Sequence, residues 1–384
     1  MRLNSVRFNT MLRRGAHRLS LLGVLGLAMS LGSCEPIFDE DPNCRLGVAL
    51  NFVYEYHMEP GADAFPSNVD CVTVLVFDKG GNFVTQLTET SDVLRDEKYR
   101  MELPLEAGDY HLVVYGGLAC EDAAFDFTPD FSAASNRGAK KEDILVTLPL
   151  NGEVFSDKQL HDIDKRTGGL FYGTLDLTLT ELDYTTTFRE ETVYLMKDTN
   201  NIQVILQELQ YPYQIDYKDY NFRIVDDNFV LDGFNNVVPV YTPEYRPYYL
   251  PYNAENRIMG QVEYKDQNGA LLEENKDQPV QVACVEFSTS RLLVEHLSTA
   301  RLIISSKVDK DALGRDKELI NIPLITYLTA VRGFGDSWIR SDQEFLDRQS
   351  RWSLIFFLQR GLWVNAWVSV NWWTVRINDI ELDL

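Results

Sequence analysis

Apolar residues alternate with other residues along several short segments, and this period of two is the feature that most limits the fold. It is clearest in residues 46–56, where six side chains fall on one face: Leu46, Val48, Leu50, Phe52, Tyr54 and Tyr56. Residues 362–377 repeat the pattern near the C-terminus. A period of two is typical of strands with one buried face, so both segments are predicted to be strands.

Further strands are predicted where β-branched and aromatic residues cluster between turn-forming residues. They cover residues 72–77, 83–85, 99–105, 110–115, 144–148, 170–179, 192–196, 202–206, 281–287, 301–306, 319–325 and 352–358. Residues 121–141 lack a clear period and are expected to form a loop. Ser341 and Glu344 have capping-box spacing, which predicts a short helix over 342–350. Strands and helices do not alternate, so the chain is predicted to be all-β and built from β-sandwiches.

The N-terminus has the pattern of a secretory signal. Five arginines and no acid precede Cys34, and residues 19–31 form an uncharged apolar run too short to span a bilayer. The sequence Leu31-Gly32-Ser33-Cys34 is similar to a bacterial lipobox. We therefore predict that Cys34 is acylated and that the protein is lipid-anchored in the outer membrane and exposed at the cell surface. The alternative is an ordinary cleaved signal beside an unrelated cysteine.

The net charge and the length of the chain limit its expected partners and its number of domains. Removing residues 1–33 changes the net charge from −22 to −27, because that segment carries five arginines and no acid. Such an acidic surface repels phosphate backbones, so nucleic acid is not an expected partner. The remaining 351 residues exceed one typical domain. We predict a signal peptide at 1–33, a lipidated tether at 34–44, and β-sandwiches at 45–184 and 185–384.

Four cysteines remain besides Cys34. Export permits disulfides, but the sequence leaves the pairing open among Cys44, Cys71, Cys120 and Cys284. Two outcomes are compatible with the sequence. One is a disulfide between two of the first three cysteines, which share a predicted domain; the other is that the cysteines are buried free thiols.

No catalytic, cofactor or metal motif is recognisable. The chain has no nucleophile elbow, phosphate-binding loop, zinc-protease helix or paired-cysteine motif, and its mature histidines do not share a ligand spacing. Asp226-Asp227-Asn228 is more typical of a solvated turn than of a calcium site. We therefore expect no enzyme activity and no cofactor.

Two aromatic segments are candidates for binding. Residues 239–252 interleave proline with five tyrosines that form a possible recognition segment: Tyr241, Tyr245, Tyr248, Tyr249 and Tyr252. The prolines make this segment unsuited to a helix or a central strand. Exposed tyrosines can stack on sugars or anchor a protein; the alternative is a long connection packed on a sandwich. The C-terminal tryptophans, from Trp352 to Trp373, are interpreted mainly as sheet packing.

Several short sequences occur in a specific order along the chain. The first part contains Phe65-Pro66-Ser67-Asn68-Val69-Asp70, Val74-Leu75-Val76-Phe77-Asp78, Leu103-Pro104-Leu105 and Ala107-Gly108-Asp109-Tyr110. The second part contains Arg291-Leu292, Ile322-Pro323-Leu324-Ile325, Asp347-Arg348 and Val370-Asn371-Trp372. This ordered set resembles the FimB-type fimbrial anchor and minor-subunit lipoprotein family of type V pili. The chain departs from the family pattern at His57, Tyr115 and Trp373.

The resemblance implies two tandem transthyretin-like β-sandwich domains on a lipid anchor at the base of a fimbrium. It also implies fimbrial (pilin) subunits as partners, joined by strand complementation, in which a segment of one subunit pairs with a sheet of the next. A surface glycan-binding lipoprotein is the alternative function, for which the tyrosine-rich segment is one candidate site.

Overall fold

The structure is a computed structural model that describes residues 46–58, 61–118, 120, 123–133, 136, 138–148, 160–161, 168–183, 188–210, 215–239, 244–249, 282–332, 338–370 and 373–376. The predicted signal peptide, Cys34 and the tether lie outside the described residues. Regular structure within these ranges is mostly strand, arranged in five sheets. The prediction of an all-β fold is confirmed.

The described strands are numbered in chain order. They are β1 (Gly47–Val53), β2 (Val72–Asp78), β3 (Phe83–Glu89), β4 (Met101–Pro104), β5 (Gly108–Gly116), β6 (Asp126–Thr128), β7 (Leu145–Thr147), β8 (Leu160–His161), β9 (Phe171–Leu179), β10 (Arg189–Tyr194), β11 (Met196–Lys197), β12 (Asn200–Glu208), β13 (Tyr220–Val225), β14 (Val230–Asp232), β15 (Glu244–Tyr245), β16 (Tyr248–Tyr249), β17 (Ala283–Thr289), β18 (Arg301–Lys310), β19 (Asp316–Pro323), β20 (Arg351–Gln359), β21 (Leu362–Val370) and β22 (Trp373–Arg376).

The first sandwich has two sheets that share one core. The smaller sheet has the order β10-β1-β4, and the larger has the order β11-β9-β5-β2-β3. Val48, Leu50 and Phe52 of β1 alternate into this core and belong to the same cluster as Val74 of β2 and Val114 of β5. The alternation seen in the sequence therefore corresponds to the buried face of β1.

The second sandwich pairs a six-stranded sheet with a five-stranded sheet. Their orders are β16-β17-β12-β20-β21-β22 and β19-β18-β13-β15-β8. Val285 and Leu354 of the larger sheet share a core cluster with Phe222 and Leu302 of the smaller one. Because apolar faces of both sheets are removed from water together, each sheet stabilises the other.

The fifth sheet, β14-β7-β6, belongs to the layer that covers the outer face of the first sandwich. Leu75, Val113 and Tyr115 lie beneath this layer and belong to the core cluster of the second sandwich. Strand β2 is therefore buried on both faces, which explains why residues 72–77 are apolar except for Thr73. The expectation of a plain loop over 121–141 is wrong, because β6 pairs with β7 within this layer.

Strand pairing crosses residue 185, where we placed the domain boundary. Val48 of β1 pairs with Arg189 of β10 in parallel orientation, and β7 and β8 pair with β14 and β15. Sheets on both sides of residue 185 thus include strands from the other part of the chain. The division at 185 stays a prediction.

Helices are few and short. The described α-helices are α1 (Phe65–Asn68), α2 (Leu324–Thr329) and α3 (Asp342–Arg348), and short 3₁₀ turns cover Asp92–Arg95, Lys141–Asp143, Glu181–Asp183, Tyr217–Asp219 and Val294–His296. Ser341 caps α3 as its sequence predicts, since its hydroxyl accepts a hydrogen bond from the Glu344 amide at 3.1 Å. Within the described ranges, no helix is both long and apolar enough to cross a bilayer.

Candidate functional site

Tyr245, one residue of the possible recognition segment, lies in the core. Its hydroxyl donates a hydrogen bond to Oδ1 of Asn228 at 2.6 Å, and its ring stacks on Phe229 with 4.1 Å between centroids. The side chain is fully buried. Tyr245 therefore packs the sandwich and presents no surface to a partner.

The rest of that segment is only partly described. Tyr248 and Tyr249 form β16 at the edge of the six-stranded sheet, whereas Tyr241 and Tyr252 lie outside the described residues. The prediction that no central strand forms here needs correction, because β15 lies between β13 and β8. Pro247 follows β15 two residues after its end, and its missing amide donor is consistent with a strand of only two residues.

Trp352, Trp363 and Trp367 pack within the large sheet. Trp352 is buried, donates from Nε1 to Oδ1 of Asn200 at 3.1 Å, and meets the ring of Phe345 edge-on. The ring of Trp367 contacts that of Phe357 with 4.7 Å between centroids. These contacts agree with the packing interpretation and do not form an exposed aromatic platform.

The structure selects one cysteine pairing. Cys71 and Cys120 form a disulfide with Cα atoms 5.4 Å apart, which joins the start of β2 to the chain after β5. Cys284 is a free thiol in β17, and burial raises its pKa to about 12. This thiol is therefore protonated and unreactive at neutral pH, and Cys44 lies outside the described residues.

Open sheet edges are the main candidate for joining another subunit. Among the described edge strands of four or more residues, β4, β10, β19 and β22 contain proline, lysine or arginine, which discourage edge pairing. The remaining one, β3, reads Phe-Val-Thr-Gln-Leu-Thr-Glu. It pairs with β2 on one side and with no described strand on the other.

A buried polar cluster joins the two sandwiches. Asp198 lies between β11 of the first sandwich and β12 of the second, and its Oδ1 accepts a hydrogen bond from Asn235 Nδ2 at 3.1 Å. Arg291 donates to the Asn235 carbonyl at 2.9 Å and to both carboxylate oxygens of Asp347, also at 2.9 Å. These hydrogen bonds connect the segment between the two sandwiches, which contains Asp198, to helix α3, which contains Asp347.

Asp198 is the most unusual charge in this cluster. The residue is fully buried, and Oδ2 has no hydrogen-bond partner among the described residues. Burial raises the pKa of the carboxyl to about 7, although the positive charge of Arg291 opposes that increase. The junction therefore contains a group whose charge state changes near neutral pH.

The sequence offered only an indirect signal for this cluster. Arg291 and Asp347 stand in short sequences that carry the family resemblance, but their pairing joins positions far apart in the chain. In the described ranges, no three His, Cys, Asp or Glu side chains are grouped to hold a metal ion.

A protein-family model covers nearly the whole chain. The model for fimbrillin-A associated anchor proteins Mfa1 and Mfa2 matches residues 40–379. No curated protein sequence matches the chain.

Solved structures share the fold. A proposed adhesin from Bacteroides thetaiotaomicron VPI-5482 is 37% identical, with a TM-score of 0.66, 87% of this chain covered and 99% of the other. A proposed polysaccharide-binding protein from the same organism is 27% identical, with a TM-score of 0.64 and coverage of 86% and 98%. The fimbrial anchor protein Mfa2 from Porphyromonas gingivalis is 17% identical over 87% of this chain and 99% of its own, with a TM-score of 0.58, and shows likeness of fold alone.

Proposed function

We propose, because this chain belongs to the family of fimbrillin-A associated anchor proteins, that it is a surface lipoprotein holding a fimbrium to the outer membrane. Family membership gives it a fimbrial accessory or adhesin role, with fimbrial subunits as partners. We further propose that Cys34 carries the lipid anchor, that the protein does not act as an enzyme, and that it contacts pilin by strand addition. The family match over residues 40–379 is the observation that carries it.

Lipid anchoring follows from the order of segments. A basic start, a short apolar run and the Leu31-Gly32-Ser33-Cys34 sequence come directly before an acidic tether. Several acyl chains on one cysteine hold a protein stably on a bilayer. A base subunit needs such an attachment because the load on the filament must reach the membrane.

The pilin contact is proposed to be strand addition at β3. This edge lacks the proline, lysine and arginine that the other longer described edges carry, and Val84 is 44% exposed on it. An added strand gains main-chain hydrogen bonds along the edge, and its alternate side chains give specificity.

Membrane retention is tested by complementing a gene deletion with the wild-type gene or with Cys34→Ala. We expect filaments on the cells with the wild type and filaments in the culture supernatant with Cys34→Ala, measured by electron microscopy and immunoblotting. Cys284→Ala, which removes the thiol in β17, is the matched control and should retain filaments. Filaments that stay on cells while the Cys34→Ala protein is released would rule out the anchor role.

The edge contact is tested separately with Val84→Lys. A lysine on an open edge opposes strand addition, so less pilin should co-purify with this variant from detergent extracts. Val308→Lys, at a 67% exposed position of β18, is the control. Equal pilin recovery with both variants would exclude β3 while leaving the anchor role open.

A second function, binding of surface polysaccharide, is favoured by the neighbour described as a proposed polysaccharide-binding protein, which is 27% identical over 86% of this chain. Retention of the purified protein on immobilised polysaccharide tests this function.

A further inference from the structure

A polar pocket lies at one end of the large sheet of the first sandwich. The register of β5 and β9 places Asp109 opposite Thr178 and His111 opposite Asp176. These residues continue the face on which Val113 and Tyr115 are buried beneath the covering layer. Near this end of the sheet the covering layer ends and leaves a cavity of about 470 Å³, which we call the sheet-end pocket.

Three side chains form a continuous hydrogen-bonded row in this pocket. The Lys141 ammonium lies 2.6 Å from His111 Nε2, and His111 Nδ1 lies 2.6 Å from Asp176 Oδ1. Because a lysine ammonium only donates, His111 accepts at Nε2 and donates from Nδ1 to Asp176. These two contacts hold the His111 imidazole in one orientation. The Asp176 side chain is 90% exposed and can accept further hydrogen bonds.

A second row lies beside the first. Lys79 Nζ is 2.9 Å from Asp109 Oδ2, and the Thr178 hydroxyl donates to Asp109 Oδ1 at 2.9 Å. These hydrogen bonds lower the pKa of Asp109. The pocket thus presents two carboxylates on neighbouring strands, Asp109 held by Lys79 and Asp176 held by His111.

One wall of the pocket comes from a distant part of the chain. Phe234 follows β14, is 47% exposed and has the Lys141 ammonium 4.1 Å from its ring centroid. This contact lets Phe234 and Lys141 support each other. Burial lowers the pKa of the Lys141 ammonium, because removal of water disfavours the charged form.

The charges of the residues that line the pocket limit which class of ligand it can bind. Its lining has four carboxylates, from Asp78, Asp109, Asp176 and Glu142, against two lysines, and each lysine already contacts a polar partner. An anionic ligand would therefore meet net negative charge. A purely apolar ligand would leave the carboxylates and ammonium groups desolvated without partners.

We propose that the sheet-end pocket binds a neutral polyhydroxylated ligand, namely a stretch of neutral glycan. Adjacent sugar hydroxyls donate to Asp176 and Asp109 and accept from Lys79 and Lys141, and a sugar face lies against Phe234. This inference rests on the second function proposed above and gives it a location.

The test is affinity electrophoresis of the mature chain carrying Cys34→Ser through gels that contain mannan, dextran, galactan or the acidic polymer alginate. At least one neutral polymer should retard the protein, and alginate should not. Asp176→Asn and Lys141→Met should each weaken that retardation about tenfold. Lys310→Met and Asp316→Asn, which break an exposed lysine–aspartate pair of 2.6 Å in the β18–β19 hairpin, are matched controls and should migrate as the wild type.

Each outcome has a separate meaning. If no neutral polymer retards the wild type, both the pocket assignment and the polysaccharide function are wrong. If retardation persists at full strength in the pocket variants, the location is wrong and the function stands. Stronger retardation by alginate would overturn the assignment of a neutral ligand. Circular dichroism of Asp176→Asn, a change at a 90% exposed side chain, is the measurement that checks whether the fold stays intact.

Discussion

The Arg348 guanidinium lies 4.0 Å from the ring centroid of Tyr56, and this contact bridges the two sandwiches. Tyr56 follows β1 of the first sandwich, whereas Arg348 ends helix α3 in the second part of the chain. The ring of Trp338 lies 5.0 Å away from the same guanidinium. A cation placed between two aromatic rings stabilises the junction through electrostatic attraction and packing.

Replacing Arg348 by methionine should lower the free energy of unfolding by about 1–2 kcal/mol, since both ring contacts are lost. Urea denaturation measures the change. Arg348 also pairs with Glu344, four residues before it. Arg315→Met is the matched control, because Arg315 pairs in the same way with Asp311 but is 72% exposed. Equal losses in the two variants would show that the ring contacts do not stabilise the junction.

Asp198 should make stability depend on pH. Burial raises its pKa to about 7 in the folded protein, above the value of about 3.9 expected in the unfolded chain. The folded state therefore holds this proton more tightly, so the stabilisation is complete below about pH 4 and is lost as pH rises toward 7.

The matching variant is Asp198→Asn, which cannot ionise. Its unfolding free energy relative to the wild type should increase between pH 5 and pH 8 by about 2.5 kcal/mol, since about two of the three pKa units between the unfolded and folded values lie in that range. Urea denaturation at both pH values measures this, with Asp316→Asn as an exposed control. Parallel pH profiles for the wild type and Asp198→Asn would show that Asp198 does not titrate in this range.

The disulfide should contribute measurable stability. It closes a loop of 49 residues, and the loop-closure model gives about 4 kcal/mol for a loop of that length. Cys71→Ala with Cys120→Ala should lower the unfolding free energy by about 2–4 kcal/mol. Cys284→Ala is the control, because it removes a thiol that forms no disulfide. If a reducing agent lowers the stability of the double variant as much as that of the wild type, this bridge is not responsible.

Gly117 should tolerate no side chain. Its φ is +83°, and a Cβ there would lie 1.8 Å from the carbonyl oxygen of Gly169. Gly117→Ala should therefore cost more than the roughly 1–2 kcal/mol of a left-handed backbone alone. Gly314→Ala is the control, because φ is +76° there and no atom lies within 4 Å of the added Cβ. Thermal unfolding compares them, and similar midpoints would contradict the predicted clash.

Local patterns in the sequence predict most strands. Val48, Leu50 and Phe52 alternate in the sequence and are buried together in β1, because neighbouring side chains on a strand point to opposite faces. The Ser341 cap of α3 is equally local. The family resemblance also depends on short sequences, and the family match confirms it.

The candidate sites were harder to predict because they join distant segments. Lys141 reaches His111 from a segment that the sequence predicts only as a loop. Tyr245 belongs to a proline-rich segment typical of surface connections, yet it is fully buried. Its partner Asn228 is what makes burial of the hydroxyl tolerable.

Patterns along the chain are enough to predict which segments are extended, which of their faces are apolar, and to which family the chain belongs. The folded arrangement is needed to know that Val48 pairs with Arg189, that Cys71 bonds to Cys120, and that Asp198 loses contact with water. Alternation and turn chemistry act between neighbouring residues and can be read along the chain. Register and burial depend on how distant segments pack, so they are settled only when the sheets come together.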